Sequence, residues 1–235
     1  MFLRLDSALR RCKSTLFPSS CHNIDSVVGG GFATGVASHV YGEPGSGKTS
    51  LALQLATTVI RLEKRVIFIA AGSFPGERFV QIAGGDTARI GQKLLVFEIS
   101  SFDQQRATLR NIKKIAKENV GLIVFDTATA YYRLEQAKNT EIGLRHALAN
   151  QLLLLVGLAK KYDLAALLTS QVYVDPDTQE TVPVAGYLLD NLCAVVVQLA
   201  KTRSGRRCAT VKKHPAMPLE TRAYFKITGT GLSDA

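Results

Sequence analysis

Residues 42–49 read Gly-Glu-Pro-Gly-Ser-Gly-Lys-Thr and stand between an apolar run, 36–41, and a segment of helical periodicity, 50–60. The spacing matches the pattern GxxxxGK[ST], which forms a phosphate-binding loop when a strand precedes it and a helix follows it. Its glycines let the backbone curl so that several N–H groups point inward, and the helix N-terminus adds partial positive charge. The stretch therefore predicts a nucleotide-binding α/β protein.

The side chains of this loop indicate how a nucleoside triphosphate would be held. Lys48 is placed to reach the β- and γ-phosphates, which is a catalytic role, and Thr49 is placed to ligate Mg²⁺. The predicted cofactors are ATP and Mg²⁺. The predicted nucleotide-binding residues of the loop are Gly42, Glu43, Pro44, Gly45, Ser46, Gly47, Lys48, Thr49 and Ser50.

A second metal-site residue is expected at the end of residues 121–126, an apolar run that closes with an acid. There Asp126 would lie beside the phosphates and hold a Mg²⁺-bound water. An aspartate at a strand end is also a common cap or turn former. Its distance along the chain from the phosphate loop favours the metal role, so the predicted metal site is Thr49 with Asp126.

Short apolar or β-branched runs alternate with segments of helical periodicity through most of the chain. This alternation predicts an α/β fold with a mostly parallel sheet flanked by helices. Ser101 with Gln104 indicates a capping box at the start of one helix, and the apolar stripe of 140–162 predicts another that packs on the sheet. The predicted strands are 36–41, 65–71, 93–99, 121–126 and 164–170, followed by 193–200, 207–211 and 223–227, which extend the C-terminal end of the sheet with antiparallel pairs.

Composition narrows the function classes. The chain has 29 Lys and Arg against 19 Asp and Glu, a net charge of +10, which attracts polyanions such as nucleic acid or an anionic surface.

No apolar run approaches the roughly 20 residues of a membrane span. The four cysteines are far apart and form no CxxC, so neither a zinc site nor a disulfide framework is predicted. The N-terminal residues lack the apolar core of a secretory signal; a cytoplasmic location is predicted, although an organelle transit peptide has a similar composition.

Several stretches together resemble the core of the RecA/RadA recombinase family. They are SSCHNIDSVVGGGFATG at 19–35, the phosphate loop, LIVFDTATAYYRLE at 122–135 and TSQVYVDPDTQETVPVAGYLLDN at 169–191. In detail they are most similar to RadB, the short archaeal branch of that family. The resemblance implies a RecA-like ATP-binding core over residues 19–235, preceded by an N-terminal extension, 1–18.

The resemblance also implies roles for particular residues. It makes 130–138 the first DNA-facing loop and 172–190 the second, and it gives Gln171 the catalytic role of sensing the γ-phosphate. A strand-end glutamine bonded to its own turn is the alternative for that residue. By the same resemblance Arg78 lies near the adenine, and residues 212–214 could reach the nucleotide of a neighbouring subunit if the protein self-associates.

The predicted DNA-binding residues are Tyr131, Tyr132, Arg133, Arg203, Arg206 and Arg207. The tyrosines could stack on unpaired bases, at about 1–3 kcal/mol each, which favours single strands. A hairpin turning at Ser204 and Gly205 would present the three C-terminal arginines together to phosphates. The alternatives are a solvated sheet edge for the hairpin and half-buried packing for the tyrosines.

One departure from the family pattern concerns hydrolysis. In active members the second strand of the core ends in an Asp-Thr-Glu-Gly-like element whose glutamate activates the attacking water, and here Ala71 stands in that position. A methyl group cannot accept a proton. Because a general base contributes about 10²–10⁴ in rate, we expect hydrolysis to be weak or absent while ATP binding survives. Glu77 is a candidate replacement, although its simpler role is to stabilise a helix N-terminus.

These features favour an ATP-binding, single-stranded-DNA-binding accessory, or mediator, protein of homologous recombination and DNA repair. The resemblance implies a RadA-type recombinase as its partner, with a Holliday junction resolvase as a further candidate. The alternative is an active DNA-dependent ATPase of the recombinase family. A KaiC-like ATPase is disfavoured, because paired glutamates are expected where Ala70 and Ala71 stand.

Overall fold

Parallel strands form the centre of the main sheet, and antiparallel strands extend one side of it. The computed structural model describes residues 14–117, 119–136, 142–176 and 179–235. In chain order its strands are β1 Leu16–Phe17, β2 Phe32–Ala33, β3 Ala37–Gly42, β4 Arg65–Ala71, β5 Leu94–Ile99, β6 Val120–Asp126, β7 Ala165–Ser170, β8 Val172–Val174, β9 Thr181–Pro183, β10 Val195–Lys201, β11 Arg207–Lys213, β12 Arg222–Thr228 and β13 Gly231–Asp234. Within the described residues the main sheet has the order β13-β12-β11-β10-β3-β7-β6-β4-β5.

Pairing within this sheet follows the predicted pattern. Strand β3 pairs in parallel with β7 and β10, and β4 pairs in parallel with β5 and β6. The pairs β10–β11, β11–β12 and β12–β13 are antiparallel. The predicted fold class is therefore confirmed, since the antiparallel strands lie at the C-terminal end of a mostly parallel sheet.

Helices cover both faces of the sheet. They are α1 His22–Val27, α2 Lys48–Arg61, α3 Gly76–Ala83, α4 Thr87–Gly91, α5 Phe102–Ile115, α6 Ala130–Gln136, α7 Ile142–Tyr162 and α8 Gly186–Leu192, with a 3₁₀ turn at Gly84–Asp86. Buried side chains of α1 to α4 share one apolar core, and those of α5 to α8 share a second core on the opposite face. Successive residues of β4 alternate between them, with Phe68 in the first core and Ile67 in the second, as the period of two in a strand requires.

Most predicted boundaries agree with the structure to within two residues. The Ser101 side chain caps α5 by accepting from the Gln104 backbone N–H at 3.1 Å, as predicted. The Gln104 side chain, however, accepts from the Ser100 backbone N–H and not from that of Ser101. Strand β13, helix α8 and the β8–β9 pair were not predicted, because each is too short to show a clear periodicity. The proposed extension, 1–18, lies mostly outside the described residues and stays a prediction.

The order of the parallel strands brings several carboxyl ends to one edge of the sheet. Strand β3 continues into the phosphate loop, and β4, β6 and β7 end beside it at Ala71, Asp126 and Ser170. In open parallel sheets, ligands bind in the crevice outside the carboxyl ends of the strands. No described helix combines the length and the apolar character that crossing a membrane requires.

Candidate functional site

The phosphate loop has the conformation that its glycines allow. Strand β3 ends at Gly42 and α2 begins at Lys48, and the loop turns through Gly45 and Gly47 with φ angles of 77° and 108°. A Cβ atom added at Gly47 would meet the Phe225 ring at 3.3 Å. The positive φ angle therefore favours glycine at position 47, and the loop packs against β12.

Lys48 places its ammonium inside this loop. The side chain is buried, and its Nζ donates to the carbonyl oxygens of Gly42 at 2.7 Å and Glu43 at 2.9 Å. Burial lowers the pKa of Lys48, and the charges of Asp126 and Glu43 oppose that change. A cation held in a ring of backbone groups fits a polyphosphate, because phosphate oxygens would compensate its buried charge.

Thr49 and Asp126 meet as the sequence predicts. The Thr49 hydroxyl donates to Asp126 Oδ2 at 2.7 Å, and the Thr169 hydroxyl donates to Asp126 Oδ1. Hydroxyl and carboxylate oxygens are the ligands that Mg²⁺ prefers, together with water and phosphate. The arrangement fits a magnesium ion at the phosphates, although the metal role of both residues stays a prediction.

The end of β4 carries no acid at the position expected for a general base. Ala70 pairs with Asp126 across β4 and β6, so Ala71 lies at the sheet edge beside the predicted metal site. Glu77 is exposed in the first turn of α3. The Glu98 carboxylate accepts from the Phe74 backbone N–H at 2.7 Å, which holds the segment after β4.

Arg78 joins three elements near the phosphate loop. Its guanidinium donates to the carbonyl oxygens of Thr228 at 2.8 Å and Gly229 at 2.9 Å, and its Nε donates to the Ser50 hydroxyl at 3.3 Å. Arg78 thus fastens the β12–β13 turn to the first turn of α2. The predicted contact with adenine stays a prediction, and the structure adds this fastening role.

Gln171 follows β7 directly and contacts the first predicted DNA-facing segment. Its side-chain oxygen accepts from Arg133 Nη1 at 3.4 Å, and its backbone carbonyl accepts from the Val184 N–H at 2.9 Å. The residue therefore links the sheet edge at the phosphate site to both predicted DNA-facing segments. Its role in sensing the γ-phosphate is untested.

The structure corrects the prediction for residues 130–138. Residues 130–136 form helix α6 and not a loop, and residues 137 and 138 lie outside the described residues. Tyr132 is 4% exposed and packs in the second core, so the prediction that its ring faces bases is wrong for this structure. Tyr131 is partly buried and donates from its hydroxyl to the Ile99 carbonyl at 2.8 Å. Only Arg133 of the three predicted residues is exposed.

A second correction concerns the β10–β11 hairpin. Arg203 is exposed at the turn, and the Arg206 guanidinium lies over the Tyr224 ring at 5.3 Å. Arg207 turns away from them, and its Nε donates to the Gly45 carbonyl at 3.0 Å. The three arginines do not form one surface, because Arg207 contacts the phosphate loop.

A cleft of about 920 Å³ opens between α6, α7, α8 and the β8–β9 pair. Basic and aromatic side chains line it, among them Arg133, Arg145, Tyr173 and Tyr187. Tyr173 is 40% exposed and Tyr187 is 87% exposed, so these rings are available where Tyr132 is not. They fall within the predicted second DNA-facing segment, 172–190, and that position was the signal that could have identified them. Residues 177 and 178 of that segment lie outside the described residues.

A polar cluster lies at the wall of this cleft; its His39 and Ser170 are buried, and its Asp190 lines the cleft. His39 Nε2 is 2.8 Å from the Ser170 hydroxyl, and its Nδ1 is 3.5 Å from the Asp190 carboxylate. Ser170 is fully buried, so its hydroxyl is shielded from solvent. Burial lowers the pKa of His39, and Asp190 opposes the change. In the described part of the chain, no group of three His, Cys, Asp or Glu residues could hold a metal ion.

Comparison with known proteins gives a consistent result. The family model Rad51 matches residues 10–235. The protein "DNA repair and recombination protein RadB" of Methanococcoides burtonii is 40% identical over 215 residues, which is 91% of this chain and 96% of that protein. The protein of the same name from Thermococcus sibiricus is 36% identical, covering 90% of this chain and 92% of that one. A solved structure, "Crystal structure of the RadB recombinase", superposes with a TM-score of 0.83 and 35% identity over 94% of this chain and 100% of that chain.

Proposed function

The chain belongs to the Rad51 family, and we propose that it is an ATP-binding, single-stranded-DNA-binding accessory protein of homologous recombination and DNA repair that hydrolyses ATP weakly or not at all. The proposal rests on one combination of features: a complete phosphate loop, the Thr49–Asp126 pair that could hold magnesium, and an alanine at the end of β4. The fold and the family agree with recombination and repair, the processes that its RadB relatives are named for.

ATP would be held by groups that the structure already gathers at one sheet edge. Lys48 supplies a buried ammonium, and Thr49 and Asp126 supply oxygens for a magnesium ion, which would neutralise charge on the phosphates. The N-terminus of α2 adds its partial positive charge at the same point. These residues bind and orient the triphosphate without needing a general base.

Weak hydrolysis follows from Ala71. Water at the end of β4 would find a methyl group where a carboxylate is expected, and Glu77 is exposed on the next helix. An active ATPase remains the second candidate, because Glu77 and Glu98 lie on the elements that flank this strand end. ATP turnover that depends on one of these glutamates would distinguish an active ATPase from an accessory protein.

Single-stranded DNA would contact Arg133 and the aromatic cleft on one side, and Arg203 and Arg206 on the hairpin. These arginines are exposed, and Tyr173 and Tyr187 offer rings for base stacking. The net charge of +10 favours a polyanionic partner. Family membership favours a RadA-type recombinase as the protein partner and a Holliday junction resolvase as a further one.

A salt titration tests the DNA proposal. Three phosphate contacts, from Arg133, Arg203 and Arg206, predict that log K for a labelled single strand falls with log salt at a slope of about −2, since each contact contributes about −0.7. Arg203→Ala should reduce the slope by about 0.7. Arg222→Ala, an exposed arginine on β12, should leave it unchanged. A slope near zero in the unaltered protein would remove DNA from the proposal.

A turnover assay tests the accessory role. We expect saturating Mg²⁺-ATP to be hydrolysed far more slowly than the about 1–10³ per second of typical enzymes, with or without single-stranded DNA. Turnover of about one per second would reject the accessory role in favour of an active ATPase. Loss of that activity in Glu77→Gln would then identify the replacement base.

A further inference from the structure

The β10–β11 hairpin lies directly against the phosphate loop. Strand β10 pairs in parallel with β3, and Leu199 lies opposite Gly42, the first residue of the loop. The hairpin beyond Leu199 therefore runs alongside residues 43–47. Two of its basic residues, Lys201 and Arg207, are opposite each other in the register of β10 and β11.

Both of these residues contact the loop. Arg207 donates from Nε to the Gly45 carbonyl at 3.0 Å, and from Nη1 to the Gly205 carbonyl at 2.6 Å, which fixes the guanidinium. The Lys201 backbone N–H donates to Glu43 Oε1 at 3.2 Å, and the Lys201 ammonium lies 3.8 Å from Glu43 Oε2. The hairpin is thus attached to the loop at two residues, Glu43 and Gly45.

The contact with Gly45 determines which way one peptide group faces. In a trans peptide the carbonyl and the following N–H point in opposite directions. The Gly45 carbonyl points outward to Arg207, and the Ser46 N–H points to the Glu43 carbonyl at 3.2 Å. The Glu43 carbonyl also accepts from the Lys48 ammonium in the loop interior, at 2.9 Å. The Ser46 N–H therefore lies on the side of the loop opposite Arg207, near the Lys48 ammonium, where a bound phosphate would replace the Glu43 carbonyl as its acceptor.

We propose that Arg207 is a positioning residue of the nucleotide site, which holds the outer face of the phosphate loop so that its N–H groups point at the phosphates. The inference rests on the proposed binding of ATP. It removes Arg207 from the DNA-binding set, while Arg203 and Arg206 keep that assignment. The role differs from that of Lys48, because Arg207 acts through the backbone of Gly45 and not on the phosphates.

The test compares the nucleotide affinities of the unaltered protein and three variants. Arg207→Met keeps the apolar stem and removes the donor, Arg207→Lys restores a cationic donor, and Arg222→Met is a control at an exposed arginine of the neighbouring strand β12. Because Arg207→Met loses the hydrogen bond from a charged donor to the loop, we expect its affinity for Mg²⁺-ATP to be about tenfold lower. We expect Arg207→Lys to recover most of that loss and Arg222→Met to bind as the unaltered protein does. Calorimetric titration gives the dissociation constants.

Two further readouts separate positioning from general damage. Affinity for ADP should fall with that for ATP in Arg207→Met, whereas affinity for AMP should not change, because AMP has no β-phosphate for the loop to hold. Affinity for a labelled single strand should also be unchanged. If Arg207→Met keeps its thermal unfolding midpoint and binds Mg²⁺-ATP as tightly as the unaltered protein, the inference is wrong.

Other outcomes are equally decisive. Equal losses for AMP and ATP would overturn the positioning role, as would a DNA affinity that falls while ATP affinity holds. If Arg207→Met does not fold, Arg207→Gln takes its place, because it also removes the charged donor; it must lose affinity for ATP and ADP and keep its affinity for AMP, and a folded glutamine variant that binds ATP normally overturns the inference. Failure of the unaltered protein to bind Mg²⁺-ATP would instead refute the proposed function itself.

Discussion

Restoring an acid at position 71 should create the hydrolytic step that this chain lacks. Ala71 is the last residue of β4, one residue beyond the pairing of Ala70 with Asp126, and its side chain is only partly buried. A glutamate in the Ala71→Glu variant would extend from the sheet edge at which Lys48, Thr49 and Asp126 are gathered. The longer side chain has a partly open environment, so we expect a stability change within about 1 kcal/mol.

The size of the gain follows from the role of the missing group. A general base contributes about 10²–10⁴ in rate, which is about 3–5 kcal/mol of activation free energy. We therefore expect the phosphate-release rate of Ala71→Glu to exceed that of the unaltered protein by at least about 100-fold, with the same affinity for Mg²⁺-ATP. Ala71→Gln is the matched control, because it has the same size and no base.

The assay is single-turnover phosphate release with enzyme in excess over Mg²⁺-ATP. A second control combines Ala71→Glu with Lys48→Ala, which should abolish the gain. The missing-base explanation would be refuted if Ala71→Glu bound ATP normally and released phosphate no faster than the glutamine variant.

The remaining predictions concern the corrected residues and the buried histidine. Tyr132→Ala should destabilise the fold by about 3–5 kcal/mol in denaturant unfolding, as loss of a buried aromatic does, whereas Arg133→Ala should change stability by less than about 0.5 kcal/mol and weaken DNA binding. Arg78→Ala should lower stability by about 1–2 kcal/mol, because carbonyl groups of the β12–β13 turn lose their charged donor; an unchanged unfolding midpoint would contradict that role. For His39, burial lowers the pKa below the ordinary 6.5. As the pH is lowered through 6.5, the unfolded state therefore binds more protons than the folded state, and the free energy of unfolding decreases. His39→Gln should remove that part of the pH dependence, and an identical pH profile in the variant would show that His39 does not cause it.

Local pattern was sufficient to predict the central sheet. Strand β4 has the predicted bounds, 65–71, because a buried parallel strand is a continuous apolar run, here begun by Arg65 and followed by Gly72 and Ser73. The phosphate loop, Thr49 and Asp126 were also predictable, because the order of parallel strands brings their carboxyl ends together. The order of the strands in the sheet was not predicted, because periodicity alone leaves it open.

Long-range contacts account for what the sequence could not show. Arg207 is 162 residues from Gly45 along the chain, and no local pattern distinguishes it from Arg206. His39 contacts Ser170 at a separation of 131 residues, so its buried position depends on the pairing of β3 with β7. Tyr132 and Tyr131 are adjacent, yet only the helical geometry of α6 determines that Tyr132 faces the core.

The central claim is that Lys48 and the loop around it bind Mg²⁺-ATP, and calorimetric titration of the purified protein tests it directly. We predict saturable binding, and an affinity about 10–100-fold lower in Lys48→Ala, since the variant loses a charged donor to the phosphates. Lys64→Ala, which removes an exposed lysine just beyond α2, should bind as the unaltered protein does. No binding by the unaltered protein, or equal affinity in Lys48→Ala, would contradict the account.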